Sequence, residues 1–167
     1  MISAAELAER VRPRLPDVVV ARDEVTAVVD RDDLLGMLAW LRSDPELAFD
    51  LLASVTATDR PDRTPRYWVV YELSSTSFHH RLRLKIGVAA DDPRLPSAVG
   101  LYPTADWHER ETFDFYGVVF EGHPNLRRIM LPDGWEGHPL RKTEELGGVN
   151  TRYRGASIPP VDRRASP

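Results

Sequence analysis

The amino-acid sequence predicts an α+β fold: a mainly antiparallel sheet with helices packed on it, followed by an extended C-terminal arm. Three observations carry this expectation. "RYWVVYEL" and "HRLRLKIGVA" have strand composition, and the polar "SSTSFHH" between them is turn chemistry, so the pair reads as an antiparallel hairpin. "DRDDLLGMLAWLRSDP" and "TADWHERETFDFYG" switch to helical spacing. From Pro132 to the end, five Pro and five Gly fall within 36 residues, a composition that resists helix and sheet. The expected organisation is a body over residues 1–131 and a basic, Pro/Gly-rich arm over 132–167.

Each element has a local reason. "ELAERVRPRLP" reads as a short opening helix stopped by Pro13 and Pro16. "DVVVARDEVTAVVD" holds two β-branched runs separated at Asp23, either a strand pair or one bent strand. In the next segment Leu34, Leu38 and Leu41 share a helical face, with acids at its start and Arg42 at its end. "FDLLASVTATD" reads as a short helix or turn leading into a strand. Along the second hairpin strand, Leu82, Leu84, Ile86 and Val88 alternate with Arg81, Arg83 and Lys85, giving one buried and one basic face. "DDPRLPSAVGLYP" reads as a loop leading into a short helical turn. Thr104 is the expected N-cap of the last helix, and Gly117 stands where a helix favours a left-handed residue; a strand is expected beyond it.

Composition bounds the function. Hydrophobic residues make up 42% and charged residues 29%, enough apolar material for a true core in a soluble globular domain. No apolar run approaches the roughly 20 residues needed to cross a bilayer, and the N-terminus lacks the apolar stretch of a secretory signal. Membrane contact is therefore expected only through a partner. Cysteine is absent, which removes disulfides, thiolate metal ligands, cysteine-held iron–sulfur clusters and thiol catalysis. A net charge of −4 offers no general attraction for nucleic acid. Residues 124–167 nonetheless carry eight basic groups against five acidic ones, leaving the acidic excess in residues 1–123. All but two of the basic groups in the chain are arginine, the side chain suited to bidentate pairing at interfaces; an arginine-biased composition explains the same fact.

The densest cluster of chemistry-bearing side chains is "HERETFDFYGVVFEGHPNLRRIM", residues 108–130. It departs from a zinc-hydrolase helix, because "HERET" puts Thr112 where H-E-x-x-H needs its second histidine. His108 and His123 are separated by the expected helix end, and His79–His80 lie in a turn. Glu111 and Asp114 share a helical face, Glu109 points elsewhere, and Arg110 with Asp114 has the spacing of an ion pair. There is no G-x-S-x-G, P-loop or G-x-G-x-x-G. Trp107, Phe113, Phe115 and Tyr116 surround the helix, which implies cover on more than one side, from a thick local core or from a partner. "EGHPNLRR" and "EGHPLRK" repeat one pattern, each offering a basic pair from an extended backbone suited to an acidic neighbour.

The same stretch resembles the signature of the C-subunit family of proton-pumping NADH:quinone oxidoreductase, respiratory complex I. The match runs through Glu109, Arg110, Glu111, Asp114, Phe115, Tyr116, His123, Arg127, Ile129 and Met130. "GHPLRK" (137–142) resembles the second family hallmark, and "DLLASVTATD", "YWVVYELSS" and "LPSAVGLYPTADW" resemble preceding blocks, so similarity covers about residues 15–143. The resemblance implies a non-catalytic scaffold protein that itself binds no flavin, iron–sulfur cluster or metal, within a complex that carries flavin and iron–sulfur clusters. It implies partners in the quinone-site (D) subunit and the two iron–sulfur (B and I) subunits, and a peripheral position on the cytoplasmic side of the cell inner membrane. Partner docking is expected at Glu109, Arg110, Glu111, Asp114, His123, Arg127, Arg128, His138, Arg141 and Lys142. Related modules occur in membrane-bound nickel–iron hydrogenases and deazaflavin-dependent dehydrogenases. The alternative from another class is a free-standing metal- or acid-dependent hydrolase using His108, Glu109 and His123.

Overall fold

A computed structural model describes residues 2–132 and 134–144; most of the expected arm, residues 145–167, lies outside the described residues. Helix α1 (Ala4–Val11) opens with a capping box: the Ser3 hydroxyl accepts the Glu6 N–H while the Glu6 carboxylate accepts the Ser3 N–H. Strands β1 (Val18–Ala21) and β2 (Glu24–Val28) form a hairpin, with Arg22 and Asp23 at positive φ in a two-residue turn. The bent-strand alternative is thereby replaced by a pair. A 3₁₀ turn (Arg31–Asp33) carries the acids into α2 (Leu34–Ser43), whose Leu34, Leu38 and Leu41 are buried as their spacing requires.

Strand β3 (Leu51–Asp59) takes all but Phe49 and Asp50 of the segment expected to begin as a helix or turn. Its antiparallel pairing with β4 (Tyr67–Ser74) decides this, because ladder bonds outweigh the weak helical preference of "DLL". The hairpin of β4 with β5 (Arg81–Val88) is as expected, with Leu82, Leu84, Ile86 and Val88 in the core. The sheet order is β1-β2-β5-β4-β3, antiparallel throughout except between β2 and β5. The segment expected as a loop leading into a short helical turn contains β6 (Arg94–Pro96), which pairs in parallel with β7 (Val119–Glu121), the strand after Gly117.

Helix α3 (Ala105–Tyr116) covers the edge of β3. Hydroxyls do this chemically. Tyr102 donates to the Phe49 carbonyl at 2.7 Å, Thr104 to Leu52 at 3.0 Å and Thr112 to Val55 at 3.1 Å. Two carbonyls of an edge strand that would otherwise invite pairing, Leu52 and Val55, are thereby satisfied from within the chain, as is Phe49 just before it. Thr104 thus occupies the N-cap position, but its hydroxyl caps β3 rather than the helix; its backbone is already helical at φ −64°, ψ −23°. One apolar core joins the inner faces of α1 and α2 to the sheet, with Tyr67, Tyr71, Phe49 and Phe120 as its large members.

Candidate functional site

The stretch 105–142 folds as a helix gripped by its own downstream chain. Asp114, on α3, is fully buried. Its Oδ2 accepts three successive backbone N–H groups, from Ile129 (3.0 Å), Met130 (2.8 Å) and Leu131 (3.0 Å). Its Oδ1 meets Arg128 Nη1 at 2.7 Å. Burial pushes the Asp114 carboxyl up, but the donors from Leu131, Met130, Arg128 and Ile129 together hold it below the ordinary range. The expected Arg110–Asp114 pair is therefore corrected. Arg110 lies over the Trp107 ring and donates to the Arg127 carbonyl at 3.1 Å, leaving Asp114 to Arg128. Helical spacing brought Arg110 within reach, but only Arg128 arrives together with the N–H groups of residues 129–131.

The two E-G-H-P echoes act as two clamps on this helix. In the first, His123 Nδ1 accepts the Asn125 N–H at 3.0 Å, so the ring proton is on Nε2, which donates to the Asp106 carbonyl at 3.2 Å. In the second, His138 Nδ1 donates to the Asp114 carbonyl at 2.9 Å, Leu140 N–H to Phe115 at 3.2 Å, and Arg141 Nε to Tyr116 at 2.7 Å. Gly117 N–H bonds the Phe113 carbonyl at 2.8 Å. The last four carbonyls of α3, which a helix leaves without partners of its own, are thus all satisfied, three of them by residues 138–141. Burial pushes His138 below its ordinary range, against the bond to Asp114 that favours its charged form. Gly117 has φ +71°, and a Cβ there would collide with the Arg141 guanidinium and the His138 ring. Lys142 N–H then reaches Asp59 Oδ2 at 2.7 Å, and Arg66 pairs with the same carboxylate.

The ten residues expected to dock partners divide accordingly. Glu109 and Asp114 have no exposed surface and bond within the chain, so neither side chain can touch a partner in this fold. His123, Arg128, His138 and Arg141 are half-buried and engaged on α3. Glu111, Arg127 and Lys142 are exposed, and Arg110 is half-buried beside Trp107. The aromatic helix is covered on a second side by the chain itself, Phe113 meeting the His138 ring edge-on at 6.0 Å. Trp107 remains 61% exposed and Met130 59%. The hydrolase set does not assemble: Glu109 turns inward to Ser97, His123 turns to Asp106, and among the described residues no three His, Asp or Glu side chains converge as a metal site would need. Among those residues no helix is long and apolar enough to cross a membrane. Sequence reasoning gave no role to Asp59, Ser97 or Thr112: Asp59 and Thr112 do fall in phase with buried neighbours, Ser97 is half-buried, and what each one bonds is set by another segment of the chain.

Comparison with known proteins decides the family. Residues 27–150 match the family described as "Respiratory-chain NADH dehydrogenase, 30 Kd subunit". The chain belongs to this family. Individual relatives of this 30 Kd family point the same way. In Mycolicibacterium gilvum, the protein named as the C subunit of NADH-quinone oxidoreductase is 50% identical over 148 residues, covering 88% of this chain and 66% of the relative. Its counterpart of the same name in Mycolicibacterium smegmatis is 46% identical over 159 residues, covering 95% of this chain and 67% of the relative. In a third, from Saccharopolyspora erythraea, the matched part is 59% of the relative, so the chain spans about three-fifths to two-thirds of these relatives' length. Among solved structures, a trypsin-resistant fragment of Nqo5 aligns with TM-score 0.63 at 28% identity, over 73% of this chain and 98% of that one. A chain of an archaeal membrane-bound sulfane sulfur reductase aligns with TM-score 0.74 at 24% identity, over 95% and 96%, a likeness of fold.

Proposed function

We propose that this chain is a non-catalytic scaffold protein in the peripheral arm of a proton-translocating NADH:quinone oxidoreductase. The observation that carries the reading is family membership over residues 27–150, together with half-identical relatives named as the C subunit of NADH-quinone oxidoreductase. The geometry supports a scaffold role. The signature carboxylates Glu109 and Asp114 and the histidines His123 and His138 are consumed in holding α3 to its own chain, which leaves none of them presented to a substrate. Flavin and iron–sulfur clusters belong, on this reading, to other members of the complex. The names of the relatives favour NADH as the donor over the hydrogenase and deazaflavin-linked variants.

The partners are the quinone-site (D) subunit and the two iron–sulfur (B and I) subunits, met on the cytoplasmic side of the inner membrane. The docking face is the outer side of α3 and the strap that follows it: Trp107, Arg110, Glu111, Arg127, Met130 and Lys142. Exposed Trp and Met rimmed by cations suit a partner surface with an apolar centre and a carboxylate edge. Residues 1–131 act as the body and 132–167 as the arm, which begins along α3 and Asp59. A tagged chain recovered from native membranes in mild detergent tests the reading. Co-purification with quinone-site, iron–sulfur and flavin-bearing NADH subunits is expected. Recovery as a lone protein overturns it.

A further inference from the structure

Three carboxylates are buried among the described residues, and they are not equivalent. Asp59 pairs with Arg66 at 2.7 Å and Asp114 with Arg128 at 2.7 Å. Glu109 makes no ion pair among the described residues, although its exposure is 0%. Its Oε2 lies 2.6 Å from Ser97 Oγ, and its Oε1 accepts the Ala98 N–H at 2.7 Å. The groups gathered around it add no positive charge. From β4 comes the fully buried Tyr71, whose hydroxyl has no hydrogen-bond partner. From α3 comes Asp106, whose negative charge bears on Glu109 and whose own Oδ1 is buried without a hydrogen bond. Asp106 in turn meets His123, from the segment after β7, whose Nε2 stands 3.3 Å from Oδ1.

A carboxylate taken out of water with no cation beside it neutralises rather than remaining charged. We propose that Glu109 is a proton-binding site: the folded chain holds this carboxyl protonated in mildly acidic water and gives the proton up across the neutral range, and that release loosens the seam between α3 and the 97–98 turn. The protonated acid fits the geometry. It donates from Oε2 to Ser97 Oγ, whose other contact is the Val99 N–H at 3.3 Å, while Oε1 remains the acceptor for Ala98. Burial pushes the Glu109 carboxyl from its ordinary 4.5 up to about 7, against the pull of the Ser97 and Ala98 bonds and with the help of Asp106. Because the folded value is the higher one, the stabilisation is full below the unfolded value and is lost as pH rises through the folded value. From this group alone, the unfolding constant rises roughly tenfold between pH 6 and pH 8.

The test uses the full-length chain with ¹³C-labelled glutamate and compares infrared spectra at pH 6 and pH 8. The expected result is a protonated glutamic C=O band at pH 6 that fades by pH 8 and is missing from Glu109→Gln. Urea unfolding of that variant should lack the tenfold rise seen in the wild type. Absence of the band at pH 6, or an equal rise in the variant, overturns the proposal. If Glu109→Gln does not fold, the wild-type band decides alone, since Glu109 is the buried glutamate of the described residues.

Discussion

Replacing Asp114 by alanine removes the point at which the chain after β7 is tied to α3. Three donors lose their acceptor at once, the N–H groups of Ile129, Met130 and Leu131, and Arg128 Nη1 loses its carboxylate and keeps only the backbone carbonyl of residue 114 at 3.2 Å. Hydrogen bonds to a charged group contribute about 1.5–3 kcal/mol each, and removing one member of a buried ion pair costs about 3–5 kcal/mol. These losses overlap, because residues 128–131 are half-buried or exposed and water can reach the freed donors. The net expectation is a loss of about 4 kcal/mol, a large fraction of the 5–15 kcal/mol that holds a typical domain folded. With a urea slope of about 2 kcal/mol/M, the unfolding midpoint should fall by about 2 M. Glu111→Ala, three residues away but exposed, is the control and should stay within about 0.5 kcal/mol of wild type. A midpoint shift below about 0.5 M for Asp114→Ala would refute the view that this carboxylate organises residues 128–131.

Other outcomes follow from the same geometry. Gly117→Ala should cost at least about 2 kcal/mol in a denaturation series, since a left-handed residue with a Cβ is strained by about 1–2 kcal/mol and must also displace Arg141 and His138. Asp59 is held below the ordinary 3.8 chiefly by its bond to Arg66, and Asp114 also lies below it, so the stability they supply is present above that value and lost as pH falls through their folded values. An acid titration followed by circular dichroism should show unfolding there, with a smaller acid-linked loss in Asp114→Asn. Trp107→Ala and Arg127→Glu should leave the thermal midpoint within a few degrees of wild type yet reduce recovery with partner subunits, Trp107→Ala by about 2 kcal/mol of binding if it is an anchor. Unchanged recovery for both would remove this face as the docking surface.

Much of the architecture was legible locally. The leucines of α2, the alternation of β5, the turn before it and Gly117 after α3 each state a backbone geometry within a few residues, and the structure adopts each one. The signature in 109–130 likewise identified the family, because a long spaced pattern of unlike residues rarely recurs by chance. What escaped local reading was the strand β3 from its first residue, the short β6, and the hydroxyl of Thr104. Each is decided by a partner distant in the chain: β4 for β3, β7 for β6, and the Leu52 carbonyl for Thr104.

The site divides along the same line. The sequence by itself determined that residues 108–130 hold acids, arginines and histidines on a helix and the chain beyond it, that no cysteine chemistry is available, and which family carries such a pattern. Only the tertiary structure decided that Asp114 pairs with Arg128 rather than Arg110, that Glu109 is sealed against Ser97 and Ala98, and that the two E-G-H-P echoes grip one helix. The physical reason is that helical periodicity reports which side chains share a face. It does not report what packs against that face, and for a charged group the partner and the access of water settle whether it is a docking contact, a fold-holding anchor or a bound proton.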